Sequence, residues 1–450
     1  MIRTIIFVVL MSGGLVAAVS SRFGALLVYL WFALFRPAEW VWFDITSLRL
    51  SLVLGLLLVV PSLATGILPN LTHPLSLGSI AFLLTGIIAQ SNAVRPDVGW
   101  MWLDFLGRLV AVSLFLVTLV NSKRRFTLTI CVIAGSLGYF TSKAGVSSFL
   151  AGGAMFAEGL AGAFSDNNGY GLATVMIMPL LLAAGQNLSS NGFVERWARR
   201  GFLLSVPLSA LTAIATSSRG AFLAMGTATL VWVFLQKRKL AAMIGLTFIV
   251  LAGIAFAPIQ RGYSQRIWTI TTYEEENEGS ALGRLHFWQV AWDMVRDHPL
   301  GVGVQNYQVI YDDYDFLNGH FGRGRAVHSS HFQVLAENGF AGAAVWIGLF
   351  GYAFVVCFRV RRRARVGSLS PEDTHFLFTM SNALIASMAA FLVGGAFLAL
   401  ALNDLTWLTF GLVAALDRIS VALLSPSESL AEVAHAASFL QAPAGAAVSR

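Results

Sequence analysis

Long apolar runs recur along this chain and constrain its fold more than any other feature. Most measure roughly 17–25 residues, enough as a helix to cross a hydrocarbon core of about 30 Å. The chain has 450 residues and is 56% hydrophobic and 12% charged, whereas soluble domains carry about 25% charged residues. Because the runs are continuous and do not alternate with polar residues, a β-barrel is disfavoured. The sequence predicts an all-α, polytopic helical membrane protein.

We expect about twelve transmembrane helices, because the first two apolar runs are short for a full crossing. The first run resembles a signal peptide, but the next begins at Phe23, so we expect an uncleaved first span. The candidate spans are residues 4–19, 23–36, 48–68, 75–90, 101–121, 126–142, 168–186, 201–217, 220–236, 240–257, 338–358, 376–396 and 399–417.

The net charge of +7 is a topology signal and not a sign of nucleic-acid binding, because the cations cluster in short links between apolar runs. The positive-inside rule makes these links cytoplasmic and puts residues 258–337 on the outer side. The side of the amino terminus stays open. The clusters are Lys123-Arg124-Arg125, Arg196 with Arg199 and Arg200, Lys237-Arg238-Lys239, and Arg359 with Arg361, Arg362, Arg363 and Arg365.

Four regions follow from this pattern. Residues 1–257 form the first part of the bundle, 258–337 a long outer loop, 338–418 the last transmembrane helices and 419–450 a cytoplasmic tail. We expect a shorter outer loop at residues 143–167. The two cysteines, Cys131 and Cys357, lie in apolar runs and predict neither a disulfide nor a metal site.

The long outer loop, residues 258–337, is the one extended polar segment between the apolar runs. It is therefore the best candidate region for a catalytic or binding site. It holds five of the eight histidines: His286, His298, His320, His328 and His331. Within it, residues 281–295 are apolar and carry two tryptophans, which predicts a helix lying along the outer membrane surface. Asp313 and Asp315 match the carboxylate pair of metal-dependent glycosyltransferases, but so short a match arises readily by chance.

Two arginines are candidates for binding an anion. Arg219 lies between two apolar runs. It is either a residue at a helix end whose side chain extends to the membrane surface, or a permanently charged guanidinium that binds phosphate through paired N–H groups. Arg284 opens the predicted surface helix, where the helix dipole disfavours a cation. That mismatch suggests an anionic partner, although Glu276 or Glu278 would satisfy it equally well.

His328 and His331 precede the apolar run at 338–358. If that helix begins near Ser329, a good N-cap, His328 lies just before it. A purely structural interpretation of His328 is a polar residue at the helix cap. The functional interpretation is a general base, because imidazole has an ordinary pKa of about 6.5. No third ligand of obvious type lies nearby, so we expect no metal.

At these residues the chain resembles the O-antigen ligase superfamily, and most of all the exosortase-associated O-glycosylation ligases. The resembling segments are Thr-Ser-Ser-Arg-Gly at 216–220, Gly-Arg-Leu-His-Phe-Trp at 283–288, Asp-His-Pro-Leu-Gly-Val-Gly at 297–303 and His-x4-Gln-x3-Glu-x-Gly from His328. Phe35-Arg36-Pro37, Asp166-Asn167-Asn168 and Thr272-Tyr273-Glu274-Glu275 add to the resemblance.

The resemblance implies a GT-C-like fold in the bacterial inner membrane, with the site in the periplasm. It implies an inverting transferase without metal or other cofactor, which moves a glycan from undecaprenyl diphosphate to a lipid A–core sugar or another glycan or protein acceptor. His328 carries over as the base and Arg219 and Arg284 as diphosphate ligands. His331, Asp166, Asn168, Glu337 and Arg325 are further candidate substrate-binding residues. Membrane lipids and exosortase-system proteins are candidate partners.

Three alternatives stay open. A polymerase or a protein O-oligosaccharyltransferase would use the same donor and the same residues. A lipid-linked glycan transporter would instead carry charges deep within its spans and quasi-symmetric halves, and this chain gathers its polarity on one side.

Overall fold

The computed structural model describes residues 2–152, 164–245 and 275–424, and only the backbone of Thr46 and of residues 275–281. These residues form helices joined by turns, with no strand among them, which confirms the all-α class. The helices are α1 Ile2–Ser20, α2 Arg22–Phe35, α3 Pro37–Trp40, α4 Leu50–Ala64, α5 Pro74–Ala89, α6 Pro96–Leu119, α7 Lys123–Leu150, α8 Asn167–Asn187, α9 Phe193–Ala215, α10 Arg219–Leu235, α11 Glu275–Asp297, α12 Tyr307–Tyr314, α13 Ser330–Val366, α14 Pro371–Gly394 and α15 Asp404–Ala422.

Seven helices in the described part of the chain are long and apolar enough to cross a membrane, namely α1, α5, α6, α8, α13, α14 and α15. Three shorter apolar helices, α2, α4 and α10, accompany them. A polytopic helical membrane protein is therefore supported. The number of about twelve spans and the GT-C-like arrangement stay predictions.

Some predicted bounds were wrong. Helix α7 runs to Leu150, so residues 143–150 are helical and do not begin an outer loop. Lys143, Ser147 and Ser148 are all tolerated in a helix, so the helix continues through them. Arg196, Arg199 and Arg200 lie on the first turns of α9 and not in a link. Much of the predicted span 240–257, and the tail after residue 424, lie outside the described residues.

The core lies where α5, α8, α13, α14 and α15 pack together. Trp407 is fully buried, and its ring centroid lies 4.8 Å from that of Phe82 and 6.0 Å from that of Trp346. Phe350 and Phe391 stack at 5.7 Å. Large aromatic side chains fill space and prefer such offset or tilted contacts, so this cluster fixes α13 and α14 against α15.

The four basic clusters lie at one end of the bundle, which we call the basic end. Lys123 of α7 bonds Glu372 of α14 at 3.1 Å, and Arg363 of α13 bonds Asp417 of α15 at 2.5 Å. Lys237 lies 5.0 Å from the ring of Phe378 in α14, and the carbonyl of Arg199 contacts Gly185 near the end of α8. Helices α8, α10 and α14 lead from here to the opposite end.

A kink in α13 organises that opposite end. The helix begins at Ser330, eight residues before the predicted span, and is interrupted at Gly339, where φ is 70°. The turn before α12 docks into this break: Phe340 N donates to Pro299 O at 3.0 Å and Val302 N to Ala336 O at 2.9 Å. A Cβ at Gly339 would overlap Pro299 O, so glycine is required there.

Candidate functional site

Three helix N-termini meet at the end opposite the basic end. Asp166 caps α8 by accepting from Gly169 N at 2.5 Å, and Ser218 caps α10 and Ser329 caps α13 in the same way. Asn167 donates to Thr216 O at 3.0 Å, which joins α8 to the turn before α10. Helix N-termini favour anions because their N–H groups and dipoles point outward.

Arg219 is the first residue of α10, and its side chain is exposed. Arg284 does not open its helix as expected: α11 begins at Glu275, which puts Arg284 in the third turn. The predicted start of this helix lay too far toward the carboxyl terminus, because the helix also includes the acidic stretch that precedes the apolar segment. The unfavourable dipole argument therefore applies to Arg219 and not to Arg284.

Both arginines belong to segments that pack near Phe397. The guanidinium of Arg284 is 5.9 Å from the Phe397 ring centroid, and Gly220, next to Arg219, lies against Phe397. Burial lowers the pKa of Arg284, and the positive charge of Arg219 lowers it further. Two neighbouring cations, Arg284 half-buried and Arg219 exposed, favour binding of an anion.

His328 lies beside these cations. Its backbone has φ 48°, a strained conformation that clusters at functional sites. Burial lowers the pKa of the imidazole, Arg284 and Arg325 lower it further, and Asp166 opposes them. His328 and the Arg325 guanidinium both approach the Phe287 ring, at 5.8 and 5.7 Å. These effects favour the neutral imidazole, the state that a general base requires.

The other predicted substrate ligands fall into two groups. Asp166 and Arg325 are exposed, and Asn168 is half-buried in the first turn of α8. His331 and Glu337 are engaged within the protein. Trp346 Nε1 donates to His331 Nδ1 at 3.2 Å, so His331 Nε2 carries the hydrogen and donates to Leu392 O at 2.9 Å.

The first turns of α13 are anchored by buried polar groups. Gln333 donates to Glu337 at 3.3 Å and accepts from Ala401 N at 3.2 Å. Ser330 donates to Leu398 O at 2.6 Å. These bonds hold the segment that carries His328 against the 395–401 turn, where Phe397 lies. Because this segment is held in place, His328 keeps its orientation in the absence of substrate.

Asp313 and Asp315 do not form a carboxylate pair. Asp315 is buried and bonds His286 Nε2 at 2.8 Å, whereas Asp313 is exposed. Asp315 also accepts from Leu317 N at 3.0 Å, so its oxygens are occupied by the protein. No group of three or more potential metal ligands occurs among the described residues.

Sequence reasoning missed one ion pair near this end. Arg36 Nη2 lies 3.4 Å from Asp404 Oδ2, and its guanidinium lies 5.6 Å from the ring of Phe164, two residues before Asp166. The Phe35-Arg36-Pro37 motif pointed to the arginine. Nothing in the sequence pointed to Asp404, which follows it by 368 residues.

The fold defines an α-helical membrane protein in which two arginines, a histidine and three helix N-termini lie near one another at one end of the bundle. Residues 203–347 match the family model described as O-Antigen ligase. The match includes Arg219, Arg284 and His328, so this part of the chain is similar to the O-antigen ligase family. No curated protein sequence matches the chain.

Proposed function

We propose that this protein transfers a glycan from undecaprenyl diphosphate to an acceptor hydroxyl on the periplasmic face of the bacterial inner membrane. One observation carries the proposal: Arg219, Arg284 and His328, distant in sequence, come from three segments that pack together around Phe397 and Phe287 at one end of the bundle. The basic clusters at the other end support a periplasmic position for the site.

The arginines bind the donor diphosphate. Guanidinium groups offer paired N–H donors that fit phosphate oxygens, and the nearby helix N-termini add backbone donors. As the bond between the anomeric carbon and phosphate oxygen breaks, its electrons move onto the diphosphate. The arginines stabilise that growing negative charge, and neither a metal nor another cofactor is required.

His328 activates the acceptor. Its neutral imidazole removes the proton from the acceptor hydroxyl as that oxygen attacks the anomeric carbon from the face opposite the diphosphate. The configuration at that carbon is therefore inverted. Asp166, Asn168 and Arg325 lie where they can bind the sugars, while His331 and Glu337 position α13. Arg325 and Arg284 keep the base unprotonated before the reaction.

Helix α11 forms the entrance for the polyprenyl chain. One face packs on a core that includes Phe287, Val290 and Met294, whereas Leu282, Leu285 and Trp292 are exposed. An amphipathic helix with an outward tryptophan suits the membrane–water boundary. A lipid-linked donor can slide along this face to the arginines.

We favour a ligase of the exosortase-associated type, whose acceptor is a lipid A–core sugar or a similar hydroxyl. A polymerase or protein O-oligosaccharyltransferase would use the same donor site. A deletion strain separates these acceptors when lipopolysaccharide, exopolysaccharide and glycoprotein are examined together, because loss of one alone identifies the acceptor. Exosortase-system proteins are proposed partners.

The decisive test uses purified protein, a lipid-linked glycan and candidate acceptors. We expect Arg219→Ala, Arg284→Ala and His328→Ala each to abolish most transfer, while Arg323→Ala, an exposed arginine of the same loop, retains it. Normal transfer by all three site variants would refute the proposal.

A further inference from the structure

A cavity lies at the basic end, between α8, α10, α14 and the helical residues 239–245. Its volume is about 740 Å³, within the range of small-molecule sites of about 300–1,000 Å³. One part of its wall is apolar, formed by Leu182, Trp232 and Ala241. Its other part is polar and includes Lys237, Arg238, His375 and Asn382.

Cations converge on this cavity. Phe378 lines it, and its ring has Lys237 at 5.0 Å, Arg361 at 5.1 Å and Arg365 at 5.9 Å. Within residues 2–152, 164–245 and 275–424, no carboxylate forms an ion pair with Lys237, Arg238, Arg361 or Arg365. Glu372 and Asp373, on the neighbouring turn of α14, bond Lys123.

Two buried polar side chains next to these cations are unsatisfied in the described structure. Arg361 is only 5% exposed and donates from Nη2 to Leu235 O at 3.1 Å, but its Nη1 has no partner. Asn382, which lines the cavity, is 8% exposed, and its Oδ1 has no partner. Buried donors and acceptors are nearly always paired, so Asn382 Oδ1 in the cavity wall favours a ligand that donates a hydrogen bond.

This cavity is separate from the Arg219 site. Helix α10 begins at Arg219 and ends at Leu235, which lines the cavity. At 1.5 Å per residue these positions are about 24 Å apart along the helix. The two sites therefore face opposite leaflets and cannot hold one phosphate group between them.

We propose that this cavity binds an anionic glycerophospholipid from the leaflet at the basic end. Its phosphate lies at Lys237 and Arg238, and a headgroup hydroxyl reaches the Asn382 amide. An acyl chain follows Leu182, Trp232 and Ala241. Basic pockets between transmembrane helices recognise anionic headgroups in this way. Free phosphate would bind to the cations but would make no contact with the apolar part of the cavity wall.

The test measures phospholipid retained by the full-length protein in nanodiscs of phosphatidylglycerol and phosphatidylcholine mixed in equal amounts. We expect phosphatidylglycerol to be enriched around the wild type. The double variant Lys237→Gln/Arg238→Gln should lose at least about tenfold in affinity. Lys239→Gln removes the next charge in the sequence, which does not line the cavity, and should bind as the wild type does. Asn382→Leu should weaken binding without changing net charge.

Three results would overturn the proposal. The first is equal retention of the two lipids by the wild type. The second is an equal loss in Lys239→Gln, which would indicate a general charge effect. The third is displacement of the lipid by millimolar inorganic phosphate, which would indicate a simple anion site. Size-exclusion profiles and melting temperatures of the variants show whether each is folded, and Asn382→Leu gives an independent readout if the double variant is not.

Discussion

The two ends of the bundle use positive charge in different ways. At the basic end, most cations come in contiguous groups such as Lys123-Arg124-Arg125 and Lys237-Arg238-Lys239, although Lys237, Arg361 and Arg365 also meet at Phe378. At the other end, Arg219, Arg284 and His328 come from three separate segments and meet beside Phe397 and Phe287. Contiguous charge is enough to orient a chain in a membrane. Chemistry requires charges that converge, together with a group able to move a proton.

The largest expected effect is a loss of stability from a substitution in the kink of α13, which supports the end of the bundle that carries Arg219, Arg284 and His328. Gly339→Ala places a Cβ against Pro299 O at a positive φ, and we expect a loss of about 3 kcal/mol or more of stability together with loss of transfer. Gly348→Ala lies in open space on the same helix and should be neutral. Thermal unfolding in detergent measures both. Equal melting temperatures would mean that the kink does not support the site.

The next test exchanges one cation for another at each end. Arg284→Lys keeps the charge but loses the planar fork, and we expect transfer to fall about 10–100-fold, the worth of one charge-assisted hydrogen bond. Arg359→Lys, at the basic end, should leave the rate unchanged. The initial rate of glycan transfer decides between them. If the two variants have the same transfer rate, the positive charge alone is sufficient at both positions. The two ends of the bundle would then not differ in how they use arginine.

A third test concerns His331. Because both of its ring nitrogens are bonded within the protein, His331→Phe should reduce stability by about 1–2 kcal/mol and leave the KM for donor and acceptor unchanged. Melting temperature and steady-state kinetics are the two measurements. A raised KM at an unchanged melting temperature would instead make His331 a substrate ligand.

The smallest expected effect is a shift in pH dependence. The base must be neutral, so kcat/KM rises with pH through the pKa of His328. Since burial, Arg284 and Arg325 lower that pKa, activity persists below pH 6.5. Arg325→Gln removes one of the cations and raises the pKa, so the acidic limb of the profile moves to higher pH. Arg323→Gln is the control. A shift to lower pH in Arg325→Gln would contradict the assigned base.

Much of the fold could be predicted from the sequence because membrane helices satisfy their backbone hydrogen bonds locally. Their apolar runs therefore mark α1, α2, α5, α8 and α14 closely. The predicted span began at residue 338, and an earlier start near Ser329 was considered only as a condition, because an N-cap is a local signal. The long extension of α7 was missed, since Ser and Lys are compatible with both helix and loop.

The site was less accessible to sequence reasoning. Arg219 and His328 stood out by type and position, but their proximity to Arg284 depends on how α11 packs, which no local pattern encodes. The His286–Asp315 and Arg36–Asp404 pairs were missed for the same reason. The resemblance selected Arg219, Arg284 and His328 for the hypothesis, and the structure places them near one another, while their roles stay a prediction.

The length of α10 has a further consequence. Its 17 residues rise about 25 Å, less than a hydrocarbon core of about 30 Å. If Lys237 is anchored among the headgroups at the basic end, Arg219 comes to rest several ångströms beneath the opposite headgroup plane. A diphosphate drawn down to it would leave much of its water behind, and the bilayer would thin around α10 to meet it.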